Sequence, residues 1–434
     1  MTTSYEPEAD VVQICRDLIR IDTTNYGDGS GPGERKAAEY VAEKLAEVGI
    51  ESEFFEPAKG RTSLVARWGD PEATDRLLVH GHLDVVPAAK QDWKVDPFAG
   101  EMADGYLWGR GAIDMKDFDA AILSVVRART RAGRLPKRPV TLIFTADEEA
   151  GGIAGAHPIV DQRPEWLEGC TEAVGEVGGF STTIAGKRIY LVETAEKGMA
   201  WLRLRAHGTT GHGSMRNTDN AVTAVAEAVA TIGRHEWPIR LTPAMGALLE
   251  EVAGLTGHDS VEDNVDALVE HFGPAARMLA AVVRNTANPT MLDSGYKHNV
   301  IPGEATANID GRFLPGYEDE FFATLRDLLP ESVTYEILVH DKALSTSFDG
   351  PLVDAMTASI LEEDPEATVL PFLMSGGTDA KAWSRLDIRC FGFSPLRLPA
   401  DLDFTGLFHG VDERVPLDAL KFSTKVFDHF LDRA

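Results

Sequence analysis

A chain of 434 residues exceeds what a single hydrophobic core usually serves, so two domains are expected. Its 44% hydrophobic and 26% charged residues are those of a globular protein, and 42 Lys and Arg against 69 Asp and Glu leave a formal net charge of −27. With that charge and no Lys/Arg-rich run, the sequence predicts neither nucleic acid nor a membrane surface as a partner.

Cys15, Cys170 and Cys390 are odd in number and far apart, which fits neither a disulfide framework nor a CxxC knuckle and predicts a reduced, cytoplasmic protein. The N-terminus, MTTSYEPEADVVQ, is polar and acidic where a signal peptide would be basic and then apolar. No apolar run approaches the roughly 20 residues of a membrane span.

In chain order, residues 8–21 carry Val11, Val12, Ile14, Leu18 and Ile19 at helical spacing before NYGDGSGPG breaks the chain. A second amphipathic helix over 34–48 closes at Gly49, and strands over 63–67 and 77–80 follow, an alternation that predicts an α/β layer architecture. The second strand belongs to RLLVHGHLDVVP, whose apolar first half reads as buried and delivers His82 and Asp84 on one face. A carboxylate beside an imidazole fixes the tautomer of a metal-binding histidine.

Met115, Phe118, Ile122, Val125 and Val126 predict a helix with Asp114 at its N-terminus, either as a cap or as a ligand approached by the Gly-rich GRGAID. The strand over 139–145 ends in Asp147, Glu148 and Glu149, and the one over 172–177 delivers Glu176 just before Gly178-Gly179. Carboxylates crowded at a strand's C-terminal end repel one another unless a cation or protons neutralise them. Such ends are where ligands bind in open α/β sheets.

From Met199 to His207 the character changes to clean alternation, with Ala200, Leu202, Leu204 and Ala206 opposite Trp201, Arg203, Arg205 and His207. This predicts a half-exposed strand that could supply an edge for pairing. GTTGHGSM, a helix over 220–232, a largely helical 243–283, strands near Thr290 and over 300–312, a helix over 318–329 and a strand over 332–339 complete a ferredoxin-like βαββαβ order with a helical insertion. The expected division is therefore 1–196 with 345–434, and an inserted domain over 197–344. From Pro351 the α/β pattern returns: a helix, a strand over 367–373, SGGTDAKAW, the strand IRCFGF and a closing helix after Pro416. Gly376-Gly377-Thr378 sits between a strand and a helix start, as an anion site or an ordinary tight turn.

His82, Asp114, Glu149, Glu176 and His409 form one chemical set, with Asp84 behind one ligand and Glu148 beside another. Two imidazoles and three carboxylates could hold two zinc-like ions, one carboxylate bridging. Such a pair polarises a carbonyl and acidifies a shared water, and Glu148 could carry that water's proton to a leaving amine.

GHLDVVP, GRGAIDMKD, DEE followed by Gly, GEVGG, GHGS followed by NAV, NVIP with a later Arg, SGGTDA and FHGVDERVP occur in that order. Together, over nearly the whole chain, they resemble the zinc aminoacylase and carboxypeptidase family, which includes acetylornithine deacetylase, succinyl-diaminopimelate desuccinylase, glutamate carboxypeptidase and carboxypeptidase S. The resemblance implies a zinc-exopeptidase-like catalytic domain, with a mixed, mostly parallel sheet flanked by helices, and an inserted ferredoxin-like lid and dimerisation domain. It implies that His82 and Glu176 bind one metal, Glu149 and His409 the other, and that Asp114 bridges them. Glu148 would be the general base, Asp84 the partner orienting His82, and the Asp114-Met115 peptide cis. His212 would stabilise the oxyanion, Asn299 and Arg312 would contact substrate, and Gly376, Gly377 and Thr378 would meet its carboxylate. The ions would be two divalent metals, zinc foremost, with cobalt or manganese as substitutes. The expected protein is a homodimer through its lid that hydrolyses N-acyl amino acids, dipeptides or similar small amides with a free carboxylate. FGFSP before FHGVDERVP favours the carboxypeptidase S and aminoacylase-like branch. The alternatives are a deacetylase or desuccinylase of amino-acid biosynthesis, and a non-catalytic metal- or peptide-binding relative, which would have no need of Glu148 beside Glu149.

Overall fold

The computed structural model describes residues 5–434, so residues 1–4 of the polar N-terminus lie outside the described residues. The larger sheet has ten strands. At its centre lie Val140–Thr145, Arg76–His82, Cys170–Gly175 and Arg389–Gly392, side by side and parallel. Every residue of the first two is buried, because helices cover both faces and an apolar run satisfies both. The predicted predominance of parallel pairing holds only at this centre and where Thr368–Met374 lies beside Lys187–Glu196. Ser52–Ala58 and Arg61–Trp68 on one flank, and Phe180–Ile184 and Leu344–Ser345 on the other, pair antiparallel.

Helix Val11–Arg20 buries Val11, Ile14, Cys15, Leu18 and Ile19, the face its spacing defines. Lys116–Arg131 is buried nearly all round, wedged against Val11–Arg20 and the closing helix Leu417–Leu431. Among the described residues no helix is long and apolar enough to cross a membrane.

The second sheet has four antiparallel strands in the order Thr286–Ser294, Glu304–Phe313, Gly198–His207, Val333–Asp341. That order, with Ala221–Arg234 and Glu318–Leu328 packed on one face around Leu202, Leu204, Val225 and Phe321, is the ferredoxin-like arrangement. Asn220 caps the first helix by accepting N–H bonds from Val222 at 2.9 Å and Thr223 at 3.4 Å. Two expectations need correcting. Gly198–His207 is bonded on both sides and supplies no edge, the edges being Thr286–Ser294 and Val333–Asp341. Its alternation reports one open face, which an inner strand of a two-layer sheet also has. The helical segment expected within the inserted domain also packs elsewhere: Leu248, Leu249, Val252, Leu268 and Leu279 join the core of the larger sheet, with Pro243–Thr256 lying against Thr368–Met374.

Candidate active site and metal centre

Three neighbouring parallel strands end at the same rim of the large sheet, and each delivers an acid or an imidazole there. His82 is the last residue of Arg76–His82, Glu148 and Glu149 follow Val140–Thr145, and Glu176 follows Cys170–Gly175. Asp114 precedes Lys116–Arg131 across a cis peptide to Met115, and His409 comes from the loop before Arg414–Pro416.

Asp114 stands between the two histidines. Its Oδ1 is 3.0 Å from His82 Nε2 and its Oδ2 is 3.2 Å from His409 Nε2. Glu176 Oε2 lies 3.4 Å from the same His82 nitrogen, and Glu149 Oε2 lies 3.0 Å from that of His409. Two groups of donor atoms result, His82–Asp114–Glu176 and Asp114–Glu149–His409, each within 4.8 Å and sharing Asp114. Glu148 belongs to neither; its Oε2 is 4.0 Å from His82 Nε2.

The electrostatics of this cluster call for cations. Burial, reinforced by the charge of Asp114, pushes the Glu149 carboxyl up to about 7. Burial and the charge of Glu176 raise Glu148 well above the carboxylate range. His409 is pushed up to about 10 by its hydrogen bonds to Asp114 and Glu149, and His82 is held high against its own burial by Glu176 and Asp114. Glu149 Oε1 is buried with no hydrogen-bond partner, an acceptor that costs free energy unless a cation meets it. Residues and geometry therefore fit two divalent ions.

The backbone is strained around these side chains. Asp147, Val177 and His409 have φ of 65°, 54° and 56°, a left-handed region most costly for β-branched Val177, which follows Glu176 directly. Gly178 comes next because nothing larger fits: a Cβ there would stand 1.9 Å from the Gly392 carbonyl oxygen and 2.8 Å from the Glu193 nitrogen. Both neighbours are backbone. Gly178→Ala is expected to destabilise the protein by about 1–3 kcal/mol in urea melts and to reduce metal content by displacing Glu176. An unchanged melt with full metal content would show that the sheet yields at this point.

Asp84 acts differently from the expectation. His82 Nδ1 is 3.0 Å from the main-chain carbonyl of Asp84 and 3.7 Å from its carboxylate, so the carbonyl orients the ring. The carboxylate instead accepts the N–H groups of Glu148 and Glu149, both at 3.1 Å, and the Asn25 amide at 2.9 Å. It holds the turn that presents the two glutamates. Asp147 faces inward and fastens the same turn, accepting from Asn25 at 3.0 Å and from the Ala154 N–H at 2.8 Å.

A cavity of about 1190 Å³ lies over the donor groups, and Gly376, Gly377, Thr378 and Arg312 are among its lining residues. Thr378 has both of its donors in use, and Arg312 two of its five N–H groups. The Thr378 N–H and hydroxyl both go to buried Glu196, at 3.1 and 2.6 Å, and the Arg312 guanidinium is forked onto Asp310, at 2.6 and 3.1 Å. The helix after the loop, Ala380–Trp383, is a single turn, so its dipole adds little anion affinity. His212 and Asn299 line a separate depression in the inserted domain, where Gly211–His212 pairs with Val300–Ile301. His212 Nδ1 lies 2.8 Å from the Ser214 hydroxyl and 3.3 Å from the Ser214 nitrogen, contacts that fix the ring.

Sequence reasoning missed Glu413. Fully buried, it accepts from Arg110 at 2.6 Å, Gly111 N–H at 3.1 Å and Ile113 N–H at 2.8 Å, while Arg110 also donates to the His409 carbonyl at 3.3 Å. The pair thus joins the loops bearing Asp114 and His409. Its place four residues after His409 in FHGVDERVP was the available signal.

Fold and donor set together define a metal-dependent hydrolase. Residues 78–433 match peptidase family M20/M25/M40, and the chain belongs to that family. It is 26% identical over 445 residues to the N-fatty-acyl-amino acid synthase/hydrolase PM20D1 of Xenopus tropicalis, covering 96% of this chain and 84% of the relative. A probable carboxypeptidase S-like 2 of Dictyostelium discoideum is 29% identical, covering 85% of this chain and 74% of that one. Among solved structures, the M20 family metallo-carboxypeptidase Sso-CP2 of Sulfolobus solfataricus superposes with a TM-score of 0.73 at 18% identity, covering 98% and 99% of the two chains, a likeness of fold.

Proposed function

We propose that this hydrolase cleaves the amide bond of N-acyl amino acids, dipeptides or similar small substrates bearing a free carboxylate, with two divalent ions held by the site. The carrying observation is the pair of three-residue donor groups sharing Asp114, with Glu148 alongside and in neither. His82 and Glu176 would hold one ion, Glu149 and His409 the other, with Asp114 between. Mixed imidazole and carboxylate donors suit zinc, with cobalt or manganese as substitutes. Ions bound there supply Lewis acidity to the amide carbonyl and to water. Glu148 takes the water's proton and returns it to the leaving amine. The open N–H groups of Gly376 and Gly377 are available to the substrate. The relatives' names point the same way, toward an N-acyl amino acid and a C-terminal carboxylate.

The same reading makes the protein a two-fold dimer. Thr286–Ser294 is the free edge of the lid sheet away from the cavity, and Met291, Leu292 and nearby Tyr296 are 64%, 60% and 83% exposed there. An apolar, unpaired edge is a template for a second copy. Cys15, Cys170 and Cys390 are all unpaired and buried, in keeping with a reducing, cytoplasmic setting.

The test is a hydrolysis screen of N-acyl amino acids and dipeptides on zinc-, cobalt- and manganese-loaded protein. Chelation should abolish turnover and lower Tm, and two equivalents of metal should restore both. Each ion stabilises the fold by about 2.7 kcal/mol at a free concentration one hundred times its Kd. No turnover with any of the three metals would overturn the reading.

A further inference from the structure

We propose that Arg61, buried behind the turn that carries Glu148 and Glu149, is the positioning residue that aims Glu148. This rests on the amidohydrolase reading above, in which Glu148 moves the proton, and it adds a residue outside both the cavity lining and the donor groups. What links Arg61 to the turn is Asn25, the first residue of the NYGDGSGPG break.

Arg61, Glu34, Asn25, Asp84 and Asp147 form one buried polar chain, none of them more than 6% exposed. The Arg61 guanidinium donates from Nη1 to Glu34 Oε1 at 2.5 Å and from Nη2 to Asn25 Oδ1 at 2.8 Å, and its Nε stands 3.7 Å from Asp147 Oδ1. Asn25 Nδ2 then gives one hydrogen to Asp84 at 2.9 Å and the other to Asp147 at 3.0 Å. A guanidinium only donates and an ionised carboxylate only accepts, so these partners dictate which end of the amide faces which. Arg61 supplies the charge-assisted bond to Oδ1, the stronger kind, beside a neutral one from the Gly27 N–H at 3.0 Å. It also sets a positive charge among three buried carboxylates that would otherwise repel one another.

Asp84 accepts the N–H groups of both glutamates and Asp147 that of Ala154, so the two acids bonded to Asn25 are the two that fasten the turn. The turn starts at Asp147 with a φ of 65°, a conformation that persists where surrounding bonds enforce it. Loosening those bonds reaches the two glutamates unequally. Glu149 has a second hold at its far end, in the donor group with His409 and Asp114, whereas Glu148 is in neither group and takes its aim from the turn. A misplacement of about 1 Å at a reacting group can cost on the order of 100-fold in rate.

The experiment pairs hydrogen exchange of the peptide 146–152 with kinetics and metal analysis, on metal-loaded wild type, Asn25→Ala, Arg61→Lys, and Arg61→Met combined with Glu34→Gln. The double variant replaces both partners, so Glu34 is not left buried with an unpaired charge. In it and in Asn25→Ala, the Glu148 and Glu149 amides should exchange at least about tenfold faster, while strand Glu304–Phe313 of the inserted domain exchanges as in wild type. Their kcat should fall on the order of 10- to 100-fold, with KM and both bound ions kept. Arg61→Lys, which keeps the charge without the fork, should show smaller changes of both kinds. Placed in Glu148→Gln, the same substitutions should cost no further rate, because the group they aim is gone. Exchange at the turn that stays as in wild type would overturn the assignment. So would a full further loss of rate in the Glu148→Gln background, which would put the effect of Arg61 on the ions or the fold. A wild type that hydrolyses nothing in the screen, with the turn loosened in the variants, would overturn the amidohydrolase reading while supporting the hold of Arg61 on the turn.

Discussion

Replacing Glu148 by Gln is expected to leave both ions bound while kcat falls by about 10²- to 10⁴-fold, the usual worth of general acid–base catalysis. Glu148 and Glu149 share one short turn, yet the turn aims them differently: Glu149 contacts His409 at 3.0 Å, whereas Glu148 stays 4.0 Å from His82 and outside both donor groups. Burial and the neighbouring Glu176 charge push the Glu148 carboxyl upward. Glutamine preserves the side chain's shape and its packing but cannot carry the proton. Metal analysis beside steady-state kinetics separates the roles. Loss of an ion together with activity would mean that the two glutamates have been exchanged.

Three of the candidate donors were legible from local pattern. His82 ends one apolar strand and Glu149 and Glu176 follow two others, and the convergence of these neighbouring parallel strands at one rim brings them together, whereas His409, in a late loop, has no such mark of its own. What stayed hidden depends on contacts between distant residues. Glu196 lies 182 residues before Thr378, and nothing near either position says that one consumes the donors of the other. The same holds for Asp84: spacing places it beside His82, but whether the carboxylate or the carbonyl meets the ring follows from the N–H groups of Glu148 and Glu149, which claim the carboxylate first. Periodicity likewise identifies the buried face of Pro243–Thr256 without saying which of two cores receives it.

Co-expression of His212→Ala with Glu148→Gln should restore activity to roughly a quarter of wild type, although each variant alone is nearly inactive. His212 belongs to the inserted domain and lines a depression separate from the cavity over the candidate metal-donor groups. An oxyanion donor must come within about 3 Å of the developing charge, so the histidine has to reach a metal centre either by movement of its own lid or from a second copy. Asn299 lies in the same depression, and its carbonyl accepts the Gly213 N–H at 2.9 Å, so the two would arrive together. In the proposed dimer, pairing along Thr286–Ser294 would place one lid beside the other, the arrangement in which the histidine crosses to the neighbour. In a mixed dimer one site then has both an intact Glu148 and an intact neighbouring His212, and the other has neither. Random pairing makes about half of the dimers mixed, each with one working site of two, which gives the expected quarter. Size-exclusion chromatography with differently tagged subunits verifies the mixing. A verified mixed dimer that remains inactive would show that His212 serves its own subunit or takes no part in the reaction.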